Sequence, residues 1–362
     1  MSAKLPLSTP PKNICILRLS ALGDVSHVIP LVRQVQAQWP DCEITWVCGK
    51  FEHKLLQLLP DINFVVFDKK AGWKAYYSLW KSLRKQRFDV LLHMQVAARA
   101  NIASRMISAK IRLGWDKQRS RDLHQLFINH AVPTALMQHQ VDGFMSFGKT
   151  LGLQSASPQW NLPLTQKART FARTHVQADK PLLVISACSS HALRNWRAEA
   201  YAQVADYAVE RYSFQAILSG GPADIEVEMA KAIQQQMKQP VLNLVAKDTL
   251  EELLGLLQAA DVVISPDSGP AHLANALAVP VIGLYACTWS RRSGPYNSLN
   301  YCVDKFEQAA EQFLGKKAEE LFWGTKIEKP GVMDLISVEE VCQQLDKLVA
   351  DKSLPLNYKR DA

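Results

Sequence analysis

Short apolar runs alternate with amphipathic segments along almost the whole chain. The runs are typical of strands buried on both faces, and the segments, with apolar residues three and four positions apart, are typical of helices. In the first half this pattern predicts strands near 14–18, 43–48, 63–67, 89–94 and 111–114, with helices near 26–38, 51–59, 73–87, 99–108 and 139–151. Such alternation predicts right-handed βαβ units and a mostly parallel sheet.

A second alternation of the same kind follows the polar, Ser- and Pro-containing stretch 153–180, which is typical of a linker with a polar helix. It predicts strands near 182–186, 214–218, 240–244, 261–265 and 280–285, with helices near 199–211, 223–236, 249–258, 270–277 and 306–322. A last helix near 337–351 begins with Ser337 and has Glu340 three residues later, a capping box. We therefore expect an α/β protein with two doubly wound domains and a cleft between them.

Composition narrows the class of protein. A chain of 362 residues with 48% hydrophobic and 21% charged residues is typical of a globular protein with two domains. Its seven cysteines are scattered and form no C-x-x-C pair, which excludes a zinc knuckle or disulfide framework and fits a reducing cytoplasm. No apolar run reaches the roughly 18 residues that span a bilayer, and we expect no signal peptide.

Charge is distributed unevenly. The net charge is +8, but residues 1–150 carry 21 Lys and Arg against 10 Asp and Glu, whereas the remainder carries 21 against 24. The first half therefore fits an anionic partner. Within it, residues 69–88 contain seven basic residues and no acid, together with Trp73, Tyr76, Tyr77 and Trp80. Such a segment fits a membrane surface with anionic head groups, although a helix that buries its aromatic side chains is the alternative.

Asp24 stands at the end of the first predicted strand and the start of the following helix, in the turn Ser-Ala-Leu-Gly-Asp. In open α/β sheets, ligands bind at this edge. A carboxylate there predicts a general base, stabilised by the positive end of the helix. An ordinary helix cap is the alternative, and this segment by itself does not decide between them.

A sharper motif follows the predicted strand 261–265. Asp267, Ser268 and Gly269 form a tight turn, and Pro270 occupies a first helical position, where its missing N–H costs nothing. Free N–H groups at such a helix start favour a phosphate. Because His272 would lie at the same end, we favour ligand binding over a purely structural turn.

Two further strand-to-helix turns carry weaker signals. After strand 182–186, Ser189, Ser190 and Arg194 offer hydroxyls and a guanidinium suited to a diphosphate, unless Arg194 simply pairs with Glu199. After strand 214–218, a Gly-Gly-Pro turn precedes Asp224 and Glu226. Those carboxylates could bind ribose hydroxyls or could be ordinary helix-start acids.

Together these motifs resemble glycosyltransferase family 9, the ADP-heptose:lipopolysaccharide heptosyltransferases, along nearly the whole chain. The matching segments are 18–25 (RLSALGDV), 267–272 (DSGPAH), Ser189-Ser190 with Arg194 and Trp196, and Thr288. The resemblance implies a GT-B fold, with an acceptor-binding domain over 1–165 and a nucleotide-sugar domain over 166–330. It also implies that the segment 331–362 packs back on the first domain.

The resemblance also assigns residues. It implies that Asp24 is the catalytic base and that Arg194 is the diphosphate-binding cation, in place of the usual Lys. The donor-binding residues it implies are Ser189, Ser190, Asp224, Glu226, Asp267, Ser268, Gly269, His272 and Thr288. The acceptor-binding residues it implies are Arg18, Ser20, Arg99 and Arg121. A departure is Ala286-Cys287-Thr288, where the family usually has Gly-Pro-Thr.

The expected reaction is the inverting transfer of heptose from ADP-L-glycero-D-manno-heptose to Kdo of the lipopolysaccharide inner core, most like heptosyltransferase I. We expect no metal site and no required cofactor, with at most a non-essential stimulation by Mg²⁺. We expect a cytoplasmic protein, peripheral on the inner membrane and without a nucleic-acid partner, because no nucleic-acid motif accompanies the charge.

Three other functions are the alternatives. One is a heptosyltransferase of type II or III that acts on a later inner-core heptose. Another is a dinucleotide-dependent oxidoreductase, disfavoured because neither domain has a G-x-G-x-x-G turn. The third is a catalytically silent lipopolysaccharide-binding protein, disfavoured because Asp24 and the 267–272 turn are both intact.

Overall fold

The computed structural model describes residues 4–135 and 137–354. The chain divides into two compact units, Met1–Pro163 and Leu164–Ala362. The division falls close to the expected domain boundary between residues 165 and 166.

The first unit is a six-stranded parallel sheet with the order β3-β2-β1-β4-β5-β6. The strands are β1 (Asn13–Leu17), β2 (Glu43–Gly49), β3 (Ile62–Phe67), β4 (Phe88–His93), β5 (Ala109–Gly114) and β6 (His130–Ala131). The helices are α1 (Leu22–Gln38), α2 (His53–Leu56), α3 (Trp73–Leu83), α4 (Ala98–Ser104) and α5 (Gln140–Leu151).

The second unit is also a six-stranded parallel sheet, with the order β12-β11-β10-β7-β8-β9. Its strands are β7 (Leu182–Ile185), β8 (Gln215–Leu218), β9 (Val241–Asn243), β10 (Val262–Pro266), β11 (Val281–Tyr285) and β12 (Val303–Asp304). Its helices are α6 (Gln166–His175), α7 (Ala198–Tyr212), α8 (Asp224–Gln236), α9 (Leu250–Ala259), α10 (Gly269–Ala276), α11 (Ser290–Ser293), α12 (Phe306–Leu314) and α13 (Val338–Asp351).

The two sheets share one topology. Read from β9 to β12, the second sheet has its strands in the sequential order 3-2-1-4-5-6, which is also the order of the first sheet. This is the doubly wound order, and two such units in one chain form the GT-B fold. The order reverses between β1 and β4 in the first unit and between β7 and β10 in the second. Ligands of such sheets bind where the order reverses, outside the carboxyl ends of the strands.

Burial explains why these segments form strands. Residues 14–17 of β1 are at most 1% exposed, because β2 and β4 flank the strand and helices cover both faces of the sheet. A strand in this position must be apolar throughout, as its sequence is. In the second unit Trp196, Tyr201 and Phe214 fill the core against β7 and β8.

Differences from expectation include one helix that ends early and two strands that the pattern does not predict. The helix expected over 306–322 ends at Leu314, because Gly315 adopts the left-handed conformation, with φ of 65°, that terminates helices. The two-residue strands β6 and β12 were missed, since they are too short for an alternation pattern.

The last helix lies in the second unit. The buried residues of α13 (Val341, Leu345 and Leu348) belong to the core of that unit. The rest of the expected C-terminal segment, residues 355–362, lies outside the described residues. Among the described residues no helix has the length and apolar character needed to cross a membrane.

Candidate active site

Asp24 lies at the carboxyl edge of the first sheet, in the first turn of α1. Its Oδ2 accepts a hydrogen bond from the backbone N–H of Ala21 at 3.1 Å and lies 2.5 Å from Nη2 of Arg18. Its Oδ1 accepts from Nε2 of Gln140 at 2.7 Å. The bond to Ala21 is one that an acid in the first turn of a helix makes with the N-cap residue, so this contact also fits the cap interpretation. The other two bonds hold a carboxylate that is still 28% exposed, which a cap does not require.

Arg18 is the residue that fixes this carboxylate. Its Nη1 donates to the backbone oxygen of Met94 at 2.8 Å, just after β4, and its guanidinium lies over the ring of Phe144. It is only 11% exposed. We expected Arg18 in acceptor binding; in the structure its two terminal nitrogens contact Met94 and Asp24. Arg18 therefore bridges β1 and β4 at the point where the strand order reverses.

The same edge of the first unit carries a pocket of about 570 Å³. Two of the expected acceptor-binding residues, Ser20 and Arg99, line it. Ser20 accepts a hydrogen bond from Nε2 of Gln95, and the Gln95 side chain also accepts from the backbone N–H of Leu19. The pocket is basic, with the lining lysines Lys50, Lys54, Lys69 and Lys70.

Glu52 is an unexpected carboxyl group in this pocket. It is buried, and burial raises its pKa, with a further increase from the charge of Asp24. Neither Glu52 nor the four lysines were predicted as site residues. Lys50 does follow a buried strand, β2, and that position was the available signal.

Arg121 is exposed and lies on the loop after β5 rather than among the pocket-lining residues. Its neighbour Asp122 accepts from the backbone N–H of Ala98, at the start of α4, at 2.9 Å. Asn101 donates to the backbone oxygen of Asp122 at 2.7 Å. The loop is therefore tied to the helix that carries Arg99.

In the second unit, Asp267, His272 and Thr288 come together at the carboxyl ends of β10 and β11. Nε2 of His272 lies 3.4 Å from Oδ1 of Asp267. Burial alone would raise the pKa of Asp267, but hydrogen bonds from His272 and Thr288 and the charge of Arg194 hold that pKa below its usual range. Asp267 and His272 therefore lie at the same strand terminus, as the 267–272 motif predicts.

Ser268 precedes the first residue of α10, Gly269, and its hydroxyl does not cap the helix. It lies 2.7 Å from the hydroxyl of Ser265, which in turn contacts the backbone oxygen of Ser186 at 2.9 Å. These contacts join the ends of β10 and β7, where the second sheet reverses its strand order.

Arg194 pairs with Glu328, and not with Glu199 as the alternative interpretation had it. Nε of Arg194 donates to Oε1 of Glu328 at 2.7 Å, and Nη2 donates to the same oxygen. Glu199 pairs instead with Arg197. The hydrogen bond from Arg194 lowers the pKa of Glu328. Since Glu328 occupies the edge of the guanidinium, an incoming anion has to share or replace this partner.

Lys326 adds a second cation beside Arg194. Burial lowers the pKa of Lys326, and the positive charge of Arg194 lowers it further. Both Lys326 and Glu328 follow α12 in the sequence and belong to no strand-to-helix turn, so no motif predicts them.

The two serines before Arg194 differ. The hydroxyl of Ser189 is buried and bonds within its own loop, donating to the oxygen of His191 at 3.0 Å and accepting from the N–H of His191 at 3.2 Å. Ser190 is exposed. Ser190 is therefore the more accessible hydroxyl of the pair.

Of the two expected ribose-binding carboxylates, one is bonded within its own turn and the other is exposed. Glu226 folds back on the turn, where it accepts from the N–H of Gly221 at 2.6 Å, and Asp224 is exposed at the start of α8. A third carboxyl group, Asp248, was not predicted. It lies 3.4 Å from the hydroxyl of Ser219. Burial, together with the charges of Glu252 and Glu226, raises the pKa of Asp248 to about 6.

Comparison with known proteins identifies relatives over almost the whole chain. Residues 76–322 match glycosyltransferase family 9 (heptosyltransferase). The lipopolysaccharide core heptosyltransferase OpsX of Haemophilus influenzae is 41% identical over 345 residues, which cover 95% of this chain and 99% of OpsX.

Two solved structures have the same fold. A family 9 glycosyltransferase from Veillonella parvula superposes with a TM-score of 0.77 at 22% identity, covering 94% of this chain and 97% of that one. The heptosyltransferase WaaC of E. coli, solved with ADP, superposes with a TM-score of 0.66 at 22% identity, covering 84% of this chain and 99% of WaaC.

Proposed function

This chain belongs to glycosyltransferase family 9, the heptosyltransferases, and on that premise we propose that it transfers heptose from ADP-L-glycero-D-manno-heptose to Kdo of the lipopolysaccharide inner core. The name of the 41% identical relative, a lipopolysaccharide core heptosyltransferase, supports the acceptor. The ADP in the structure of WaaC supports the nucleotide of the donor.

The observation that carries the proposal is the carboxylate of Asp24 at the edge where the first sheet reverses its strand order. Arg18 and Gln140 fix its two oxygens, and it stays partly open to solvent. A general base needs this combination of fixed geometry and access to its proton donor. Asp24 accepts the proton of an acceptor hydroxyl while the oxygen attacks the anomeric carbon of heptose. The bond to ADP breaks on the opposite face, and the configuration inverts.

The second unit supplies groups for the departing diphosphate. Negative charge grows on ADP as the glycosidic bond breaks, and fixed cations and N–H donors stabilise it. Arg194, Lys326 and Ser190 are the side chains proposed for this task, with the N–H groups at the start of α10. The exposed Asp224 is the proposed partner of the ribose hydroxyls. Because Asp24 belongs to the first unit, the reaction draws on both units.

A metal is not part of the proposed chemistry, because the two cations of the second unit offset the charge of the diphosphate. Mg²⁺ would at most stimulate the reaction. Treatment with a chelator should therefore leave most of the turnover intact, whereas loss of all turnover on chelation, restored by Mg²⁺, would contradict this part of the proposal.

The direct test is to incubate the protein with ADP-heptose and Kdo-lipid A. We expect release of ADP and an acceptor that gains the mass of one heptose. Parallel reactions with GDP- and UDP-sugars test the donor, and an acceptor that already carries heptose tests for a type II or III enzyme. The absence of transfer to every inner-core acceptor would contradict the proposal.

We also propose that the protein works in the cytoplasm as a peripheral protein of the inner membrane, because its proposed acceptor is anchored there by lipid A. Cell fractionation at low and high salt tests this. A peripheral protein held by charge should leave the membrane fraction as salt rises.

A further inference from the structure

We propose that helix α3 and the turn before it form a docking surface for a bilayer that contains anionic lipid. This α3 surface consists of Lys69, Lys70, Trp73, Lys74, Tyr77, Trp80, Lys81 and Arg84. The inference rests on the proposed function in one respect: an acceptor anchored by lipid A lies in a bilayer. The surface itself is argued from its own residues.

The helix has two faces of different character. Ala75, Leu79 and Leu83, at spacings of four, are buried in the core of the first unit. Trp73, Tyr77 and Trp80 follow a second helical stripe and are 73%, 55% and 41% exposed. The alternative reading of the sequence, a helix that buries its aromatic side chains, is therefore wrong for these three residues. Tyr76 is the exception, because its ring packs edge-to-face on Phe67.

Two of the exposed aromatic side chains and Arg84 form one connected strip. The rings of Tyr77 and Trp80 lie 5.8 Å apart, and the guanidinium of Arg84 lies 5.3 Å above the ring of Trp80. Tryptophan and tyrosine are the residues that favour the interface between head groups and acyl chains. Arginine stacked on such a ring brings its charge to the same level.

Charge on this surface has a single sign. Residues 69–88 contain seven Lys and Arg and no acidic residue. Lys74 and Lys81, which flank the strip, are exposed. A basic amphipathic helix with Trp on its exposed face fits anionic head groups, because apolar burial and electrostatic attraction then act together.

The surface adjoins the basic pocket of the first unit. Lys69 and Lys70, in the turn before α3, also line that pocket, as does Phe51, which is 54% exposed. A bilayer in contact with α3 would therefore meet the pocket that also contains Ser20 and Arg99. A second copy of this chain fits the surface less well, because a symmetric contact would oppose the same lysines.

The test measures binding of the full chain to vesicles, independently of transfer. Vesicles of phosphatidylcholine alone are compared with vesicles that also contain phosphatidylglycerol. We expect binding to the anionic vesicles only. K74Q/K81Q should weaken it by roughly tenfold or more, since each basic residue at a surface contributes about fivefold. The triple variant W73A/Y77A/W80A should weaken it at least as much.

Matched controls come from the second unit. Lys231 and Lys238 are exposed, and Phe322 is 70% exposed, so K231Q/K238Q and F322A remove the same charge and an aromatic ring elsewhere. These variants should bind vesicles like the wild type. No binding to anionic vesicles, equal loss in the controls, or a monomer–dimer equilibrium abolished by the triple variant would each overturn the proposal.

An activity measurement separates this proposal from the proposed function. Turnover on a deacylated, water-soluble acceptor should be the same in K74Q/K81Q and the wild type, whereas turnover on acceptor in anionic vesicles should fall with binding. If the wild type transfers heptose to neither acceptor, the proposed function fails while the vesicle result stands. If K74Q/K81Q and W73A/Y77A/W80A both lose turnover on the soluble acceptor, the α3 surface acts in catalysis and the docking proposal fails.

Discussion

The two units share one strand order, and each has an ion pair between an arginine and a carboxylate near the point where that order reverses. The two pairs differ in which partner the proposed reaction uses. In the first unit the ion pair is Arg18 with Asp24, and in the second it is Arg194 with Glu328. In both pairs the carboxylate is the more exposed partner, 28% against 11% and 27% against 14%.

The difference lies in which member of each ion pair the proposed reaction needs. A base must be reached by its proton donor, and Asp24 is the open member of its pair. The diphosphate must reach a cation, but Glu328 covers Arg194. Under the proposed roles, the same arrangement of charges leaves Asp24 accessible to an acceptor, whereas Glu328 has to move or be shared before a diphosphate reaches Arg194. One scaffold can support both because the chemistry depends on a few side chains after the strands.

The largest expected effect is the loss of the base. Asp24→Asn keeps the size of the side chain but cannot accept the proton, so kcat should fall by about 10²- to 10⁴-fold. Affinity for ADP, measured by calorimetry, should stay the same, because the proposed nucleotide site belongs to the second unit.

A control separates the base from the helix cap. Glu199 is also an acid in the first turn of a helix, α7. Glu199→Gln should leave kcat unchanged. If both variants only lower the melting temperature and leave kcat near that of the wild type, Asp24 is a cap.

Removal of the diphosphate cation should have the next largest effect. Hydrogen bonds to charged groups contribute roughly 1.5–3 kcal/mol, so Arg194→Ala should lower kcat/KM for the donor by about 10²-fold. Arg194→Lys should lower kcat/KM less, because lysine keeps the positive charge but lacks the paired N–H donors of the guanidinium. Arg197→Ala is the matched control and should change little, since Arg197 is 37% exposed and pairs with Glu199. Equal effects at both positions would mean that Arg194 has no special role.

The dependence of stability on pH tests the raised pKa of Asp248. Burial raises the pKa of Asp248 to about 6, so the folded protein holds this proton more tightly than the unfolded chain does. The free energy of unfolding should therefore fall as pH rises from about 4 to 6 and stay lower above. Asp248→Asn, which resembles the neutral acid, should stabilise the protein by about 1–2 kcal/mol at pH 8 and by almost nothing at pH 4.

Thermal melts at both pH values measure this effect. The exposed Asp179 is the control, and Asp179→Asn should leave the melting temperature unchanged at each pH. A stabilisation by Asp248→Asn of the same size at pH 4 and pH 8 would show that titration of Asp248 is not the cause.

The sequence predicted the parts of each site that depend on local order. Strand ends and helix starts follow from the hydrophobic pattern, so Asp24 and the 267–272 turn could be located at the edges of parallel sheets. The alternation also predicted the doubly wound class. It did not predict β6 and β12, whose two residues carry no period.

Partners that come from distant segments could not be predicted. Gln140 is 116 residues from Asp24, and Glu328 is 134 residues from Arg194. Such pairs arise only when the fold brings loops together, and no spacing rule for helices or strands applies to them. The alternative pairing of Arg194 with Glu199 rests only on their closeness in the sequence. Apolar periodicity also leaves open which unit covers the buried face of α13.

The smallest effect that we predict concerns Glu328, the carboxylate that pairs with Arg194. Glu328→Gln removes the negative charge that competes with the diphosphate, while its amide oxygen can still accept from the guanidinium. Affinity for ADP should rise by about three- to fivefold, or roughly 1 kcal/mol, and the gain should shrink as salt increases. Calorimetric titration at low and high salt measures it. Glu319 and Glu320, on the exposed segment after α12, serve as the control, and Glu319→Gln should not change the affinity. If Glu328→Gln weakens ADP binding instead, Glu328 orients Arg194 for the donor and does not block it. The proposed functional side chains of both units, Asp24 and Arg194, would then already be positioned for the reaction.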